Sequence, residues 1–218
     1  MSDEVTSGNQ SSRRNLASVP PIESLPGPGG GVLVKVGGSL LDLPELRDRL
    51  RRLPLMLEQP MRLVVGGGSA ADLIRRLQPV HQLGEADAHR VAIGTMDLNG
   101  QLVHALIDGA QGDFGVLPVA DVLRDRGIEL PSSWSVTSDS VAAAIAASLQ
   151  WDLILAKSIP PPGSVDVAVA RGDVDPYFPT ASRPLAGQGR SIGWINLRTS
   201  DPVIVRFGQG RAPDSVPA

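Results

Sequence analysis

The sequence contains no cysteine. That excludes disulfides, thiolate metal ligands and cysteine nucleophiles. Aromatic residues make up 3% of the chain, too few for a base-stacking platform. The net charge is −3 and no basic stripe stands out, so no nucleic-acid partner is expected. No apolar run approaches the ~20 residues that a membrane-spanning helix needs. The first residues lack a secretory hydrophobic region, and Asp3 and Glu4 run against an organellar transit peptide. A cytoplasmic protein with no membrane partner is the expectation. Two phosphate-binding signatures are also missing. G-x-x-x-x-G-K-[ST] does not occur, and Gly187-Gln188-Gly189 meets its next glycine at Gly193, one position too late for G-x-G-x-x-G.

What is present is a 218-residue chain, 42% hydrophobic, long enough for one domain with a full core. Met1–Gly31 is polar and then rich in proline and glycine, and lacks helical or strand periodicity. It reads as a disordered tail ending in a flexible joint. A single domain is expected over residues 32–210, with residues 211–218 frayed.

The organising stretch is Val32–Leu41, VLVKVGGSLL. An apolar, β-branched run predicts a strand, Gly37-Gly38-Ser39 a turn, and the following residues a helix. Adjacent glycines let backbone amides approach an anion closely, and a helix start adds unpaired N–H groups. Lys35 sits just before the turn, where its ammonium could reach the same anion. A lysine inside an apolar strand also needs a partner or a task. The pattern then repeats. Met61–Val65 predicts a second strand, Gly66-Gly67-Gly68-Ser69 a second turn and Ala70–Leu77 a helix. In a parallel sheet both turns fall at carboxyl ends of strands, where ligands bind in open α/β folds. Two facing glycine turns could hold two phosphate groups.

The other elements follow from periodicity. Leu43–Leu53, Gly84–Leu106, Val119–Arg126 and Val141–Leu149 predict helices. Gly115–Val119, Trp134–Val136, Asp152–Ala156, Val165–Ala170, Ile192–Leu197 and Val203–Phe207 predict strands. Val174–Pro179 is irregular and Ala181–Gly189 loop-like. Thr137 or Ser138 can cap the alanine-rich helix, and Asp139 lies in its first turn, where the dipole favours it. His89 alone reads as a core histidine. Lys157 closes the strand Asp152–Ala156. Strands alternating with helices predict the α/β class: a three-layer α/β/α sandwich around a mainly parallel sheet.

Lys35 with Gly37-Gly38-Ser39, then Gly66-Gly67-Gly68, then Thr137-Ser138-Asp139-Ser140 resembles the amino acid kinase superfamily in motif order. Ala88-His89-Arg90-Val91-Ala92-Ile93 through Met96-Asp97-Leu98, with Trp134–Ser140, resembles its uridylate-kinase-like, methanofuran-biosynthesis branch. The likeness runs over Val32–Lys157, with a fainter echo at Val174–Pro179. It implies ATP-dependent phosphoryl transfer to a small phosphorylated acceptor, (5-(aminomethyl)furan-3-yl)methyl phosphate, in one-carbon metabolism. It implies ATP and Mg2+ as cofactors, a small-molecule acceptor as partner, a homo-oligomer and no dedicated metal ligands. Lys35 and Asp139 are implied as catalytic, with Lys157 beside them by our reading. Gly37, Gly38, Ser39 and Ser158 are implied on the phosphate or nucleotide side. Gly66, Gly67, Gly68, Ser69, His89, Thr137 and Ser138 are implied on the acceptor side.

The family pattern breaks after Ala156. A T-D-x-x-G-type nucleotide segment is replaced by Lys157-Ser158-Ile159-Pro160-Pro161-Pro162, and the family's later lysine has no clear counterpart. Lys157 is expected to supply its charge. Two alternatives stay open: another family member acting on a carboxylate or nucleoside monophosphate, and a non-catalytic binding or assembly subunit that keeps the fold.

Overall fold

The structure, a computed structural model, describes residues 25–110 and 112–207. The tail expectation for residues 1–24 and the frayed end beyond residue 207 lie outside the described residues. The strands, in chain order, are β1 (Val32–Val36), β2 (Met61–Val65), β3 (Phe114–Val116), β4 (Asp152–Lys157), β5 (Ile192–Asn196) and β6 (Ile204–Phe207). They form one sheet in the order β3-β2-β1-β4-β5-β6, parallel except for β6, which runs antiparallel to β5. The helices are α1 (Leu46–Leu57), α2 (Gly68–Val80), α3 (Glu85–Ile107), α4 (Val119–Asp125), α5 (Ser138–Leu149), α6 (Val165–Ala170) and α7 (Phe178–Gly187). The three-layer α/β/α class expected from sequence is the fold observed.

The central strands are buried on both faces, as their unbroken apolar runs require. Val32, Val34 and Val36 of β1 and Ile154 and Ala156 of β4 pack with Leu46, Leu50 and Leu53 of α1. Leu33 of β1 and Leu153 and Leu155 of β4 pack on the other face with Val141, Ala142 and Ile145 of α5 and Phe178 and Leu185 of α7. Side chains alternate along a strand. Lys35 therefore shares the face of Leu33, and Lys157 the face of Leu155. Both lysines are directed to the layer that holds α5. Chain order departs from β1 toward β2 and β3 on one side, then resumes with β4 on the other. Ligands of open α/β sheets bind at such a reversal, beside the carboxyl ends of the strands.

Several elements differ from expectation. Trp134–Val136 is a turn, not a strand, because Trp134 is held sideways by α2 rather than by a neighbouring strand. Val165–Ala170 is helical. The Ser164 side chain caps it by accepting the Val167 N–H at 3.2 Å, and its alternation reflects no sheet face. Ala181–Gly189 falls mostly within α7. Pro179 lies in the first turn, where a missing N–H costs nothing, and Phe178, Ala181 and Leu185 form a buried stripe that outweighs Pro184 inside the helix. Pro54 and Pro79 likewise sit inside α1 and α2, which extends both beyond their expected ends.

The joint ending at Gly31 is not loose where it is described. The Trp151 indole donates to Gly27 O at 3.2 Å, Gly29 N donates to Gln150 O at 2.9 Å, and Leu25 packs on the α5 side of the core. A Cβ at Gly31 would press on the Trp151 ring at 3.0 Å. Trp151 is wholly buried, and the segment forms part of its cover. No helix among the described residues is long and apolar enough to cross a membrane.

Candidate active site

Three ionised side chains meet where β1 and β4 end. Lys35 Nζ lies 3.0 Å from Asp139 Oδ1, and Lys157 Nζ lies 2.7 Å from Asp139 Oδ2. Asp139 comes from the first turn of α5. All three residues are buried. Lys157 also donates to Asp173 O at 2.7 Å and stands 5.5 Å from the centre of the Trp194 ring. Burial raises the Asp139 carboxyl, but the charges of Lys35 and Lys157 outweigh it and hold Asp139 below the usual carboxylate range. Burial and the neighbouring Lys35 charge push Lys157 down to about 8, against the pull of Asp139. The cluster carries two cations on one anion. Its net positive charge lies at the carboxyl ends of β1 and β4, beside the two glycine turns, an arrangement suited to a further anion.

The turns themselves touch. A Cβ at Gly38 would overlap Gly68 Cα and N, and a Cβ at Gly68 would press on Gly38 O at 3.0 Å. Gly68 also has φ +52°, a left-handed conformation that suits glycine. Gly66 is packed so closely that a Cβ there would sit 2.9 Å from both Gly38 N and Ser138 Oγ. Asn99 of α3 fixes the second turn from below, donating to Gly66 O at 2.7 Å and Gly67 O at 2.9 Å.

Not every glycine amide is available to an anion. Gly37 N donates to Ala156 O at 2.8 Å and Gly66 N to Val36 O at 2.8 Å, both extending the sheet ladder. The expectation that Gly37 donates its amide to a phosphate is therefore corrected. Gly38 opens a short 3-10 turn, Gly38–Leu40, and its N–H has no acceptor inside that turn. Ser39 and Ser158 meet hydroxyl to hydroxyl at 3.0 Å, joining the turn after β1 to the residue after β4. Arg198, following β5, donates to Ser39 O at 2.9 Å and pairs with Asp42.

On the other side of the turns is a cleft of about 180 Å3. Gly67, Gly68, His89, Thr137 and Ser138 line it, together with Asp72, Arg75, Met96 and Trp134. Gly66 lies beneath the turn, and Ser69 is exposed outside the lining, so neither reaches the cleft surface. His89 is half-buried, and burial lowers its imidazole against a hydrogen bond involving the Ser133 backbone.

The start of α5 is capped differently from expectation. Neither Thr137 nor Ser138 supplies the cap. The Asp175 carboxylate accepts from Thr137 N (3.1 Å), Thr137 Oγ1 (2.8 Å), Ser140 N (3.1 Å) and Ser140 Oγ. A carboxylate is a stronger acceptor than a hydroxyl, and here it takes the hydroxyls as donors too. Asp175 thus fixes the turn that presents Asp139. Asp97 plays a similar part for α4, accepting from Val119 N at 2.5 Å and Ala120 N at 3.2 Å. Burial raises the Asp97 carboxyl more than those amides lower it. Asp175 and Asn99 were missed as site-builders. The faint family echo at Val174–Pro179 was the one signal that pointed to Asp175.

A doubly wound sheet with two lysines and an aspartate at its switch point, beside paired glycine turns, has the amino acid kinase fold. Over 75% of its length the chain superposes on a uridylate kinase from Archaeoglobus fulgidus, covering 89% of that chain with TM-score 0.52 at 16% identity. In sequence, 134 residues are 28% identical to a [5-(aminomethyl)furan-3-yl]methyl phosphate kinase from Methanocaldococcus jannaschii. That match takes in 52% of this chain and spans 58% of the relative's length. No family model matches the chain.

Proposed function

We propose that this protein is a small-molecule kinase that transfers the γ-phosphoryl group of ATP to a phosphorylated acceptor. The acceptor we favour is (5-(aminomethyl)furan-3-yl)methyl phosphate or a close analogue, within methanofuran-type cofactor synthesis. The observation that carries the reading is the convergence of Lys35 and Lys157 on Asp139 beside the two touching glycine turns. The name of the sequence relative supports the acceptor, and the names of both similar proteins support the reaction class.

Phosphoryl transfer asks for alignment and neutralisation of charge rather than covalent work by the protein. On this reading the acceptor phosphate rests on the Gly67–Gly68 amides at the start of α2, with Ser138 alongside. An oxygen of that phosphate attacks the γ-phosphorus, the bond to the β,γ-bridging oxygen breaks, and ADP leaves. A phosphate oxygen is already anionic at neutral pH, so no protein base is needed. Lys35 lies across the transferring group. Asp139 positions Lys35 and Lys157, and Lys157 faces the nucleotide phosphates. Gly38, Ser39 and Ser158 form the donor-side rim.

Among the described residues no group of three or more His, Asp or Glu side chains could hold a metal ion. Asp139 is committed to two lysines. On this reading magnesium would enter with the nucleotide and neutralise charge on its phosphates. The test is a transfer assay with ATP, magnesium and a panel of phosphorylated acceptors. Formation of ADP with a diphosphate product is expected for the furan phosphate. Transfer instead to a nucleoside monophosphate or a carboxylate would reassign the acceptor. ATP hydrolysis and transfer both absent, with no ATP binding by calorimetry, would leave the non-catalytic reading.

A further inference from the structure

The cleft beside the second glycine turn has a wall that the reaction itself does not need. Trp134 stands in the turn between α4 and α5, half-buried. Its indole N–H donates to Gln78 Oε1 at 2.5 Å, and the Arg75 guanidinium covers the ring with its carbon 4.5 Å from the ring centre. Arg75 is in turn paired with Asp72 at 2.9 Å. Asp72, Arg75 and Gln78 all belong to α2, the helix that begins at Gly68. The phosphate turn and the clamp on Trp134 are therefore parts of one rigid rod. Seven residues separate Gly68 from Arg75, a rise of roughly 10 Å at 1.5 Å per residue.

The space is small and open on one side. About 180 Å3 lies below the roughly 300–1,000 Å3 of pockets that enclose drug-sized ligands. The sides between turn and wall are apolar, from Ile93, Met96, Val136 and Val141. Burial of His89 there disfavours its charged form. Such a space suits one flat ring next to a phosphate. The sugar and base of a nucleoside monophosphate exceed that space and would meet the clamped indole.

We propose that Trp134, held by Gln78 and Arg75, is the specificity-determining residue that limits the acceptor to a single-ring phosphate and closes the cleft to nucleoside monophosphates. This rests on the kinase reading for its biological meaning, but the selectivity can be measured without catalysis. Truncating Trp134 removes the wall. Releasing the clamp lets the wall move without hollowing the site.

The experiment is calorimetric binding of two probes, benzyl phosphate and uridine monophosphate, without ATP, to wild type, Trp134→Ala and Arg75→Ala/Gln78→Ala. Wild type is expected to favour benzyl phosphate at least 10-fold. Trp134→Ala should shift that ratio at least 10-fold toward uridine monophosphate, and the clamp variant should shift it the same way by less. A merely structural defect would weaken both probes alike, so a ratio unchanged in both variants overturns the proposal. Equal or better binding of uridine monophosphate by wild type overturns it directly. If Trp134→Ala does not fold, the clamp variant decides by the same ratio. Wild-type selectivity lost on substitution, with no phosphoryl transfer to any acceptor, would refute the kinase reading and leave the role of Trp134 standing.

Discussion

Replacing Asp139 by asparagine keeps the shape of the side chain and removes the one anion between two buried ammonium groups. Lys35 and Lys157 would then face each other with no charge between them, at positions that are 3% and 9% exposed. Removing one partner of a buried ion pair typically costs about 3–5 kcal/mol, because the remaining charge stays desolvated. For a domain of this size that corresponds to a fall in Tm of roughly 6–20 °C, at about 2–4 °C per kcal/mol. The penalty should depend on pH. Lys157 already falls from 10.5 to about 8 with Asp139 in place, and without it must fall further. Within the window below pH 8, the folded variant then sheds a proton that its unfolded chain keeps. Its stability therefore rises with pH relative to wild type. Urea unfolding of Asp139→Asn and wild type from pH 6 to 9 reads this directly. The gap should be widest at pH 6 and narrow by pH 9. Adding Lys157→Met to Asp139→Asn should recover part of the loss at pH 6 and remove most of its pH dependence. A gap below about 1 kcal/mol, constant over the range, would refute the view that Asp139 holds two charged lysines together.

Lys35→Ala should fold and lower turnover roughly 100-fold or more, with acceptor binding less affected, since a preorganised donor acts mainly on the transition state. Steady-state kinetics beside acceptor calorimetry separate the two effects. Asn99→Ala leaves the carbonyls of Gly66 and Gly67 without their buried donor and should cost about 1–3 kcal/mol in urea unfolding. Removing residues 1–24 should leave Tm nearly unchanged, because their composition offers little apolar surface to bury. Removing residues 1–31 should lower it measurably, since Trp151 loses its cover at Gly27 and Gly31; equal melting of the two truncations would contradict that cover.

Much of the sheet could be read from the chain because β1 and β2 are short apolar runs into glycine and β4 is one that ends in lysine. Given those runs, period-two alternation already puts Lys35 and Lys157 on one face. What could not be read is what depends on distant residues meeting. Asp175 caps a helix that begins 37 residues earlier at Ser138, and no local pattern announces that partnership. Asn99 looks like any polar residue in a long helix until its carbonyl partners 33 and 32 residues away are known. Gly37 looked free as a donor because the Ala156 carbonyl that takes its N–H lies on a strand placed beside β1 only by the topology. The prolines of α1, α2 and α7 misled for a different reason. Each marks a weakness in the helix ladder. In α7 a buried stripe of Phe178, Ala181 and Leu185 outweighs it, while α1 and α2 continue past Pro54 and Pro79 without such a stripe beyond the proline.

The contact of Gly38 with Gly68 joins two turns main chain to main chain, with no side chain between them. Two anions seated on those turns would be separated by a distance that backbone sterics fix. Side-chain substitution elsewhere in the cleft leaves that gauge alone. On the kinase reading, substitutions around the cleft could therefore change the acceptor while the spacing between the two proposed phosphate seats stays set by main chain alone.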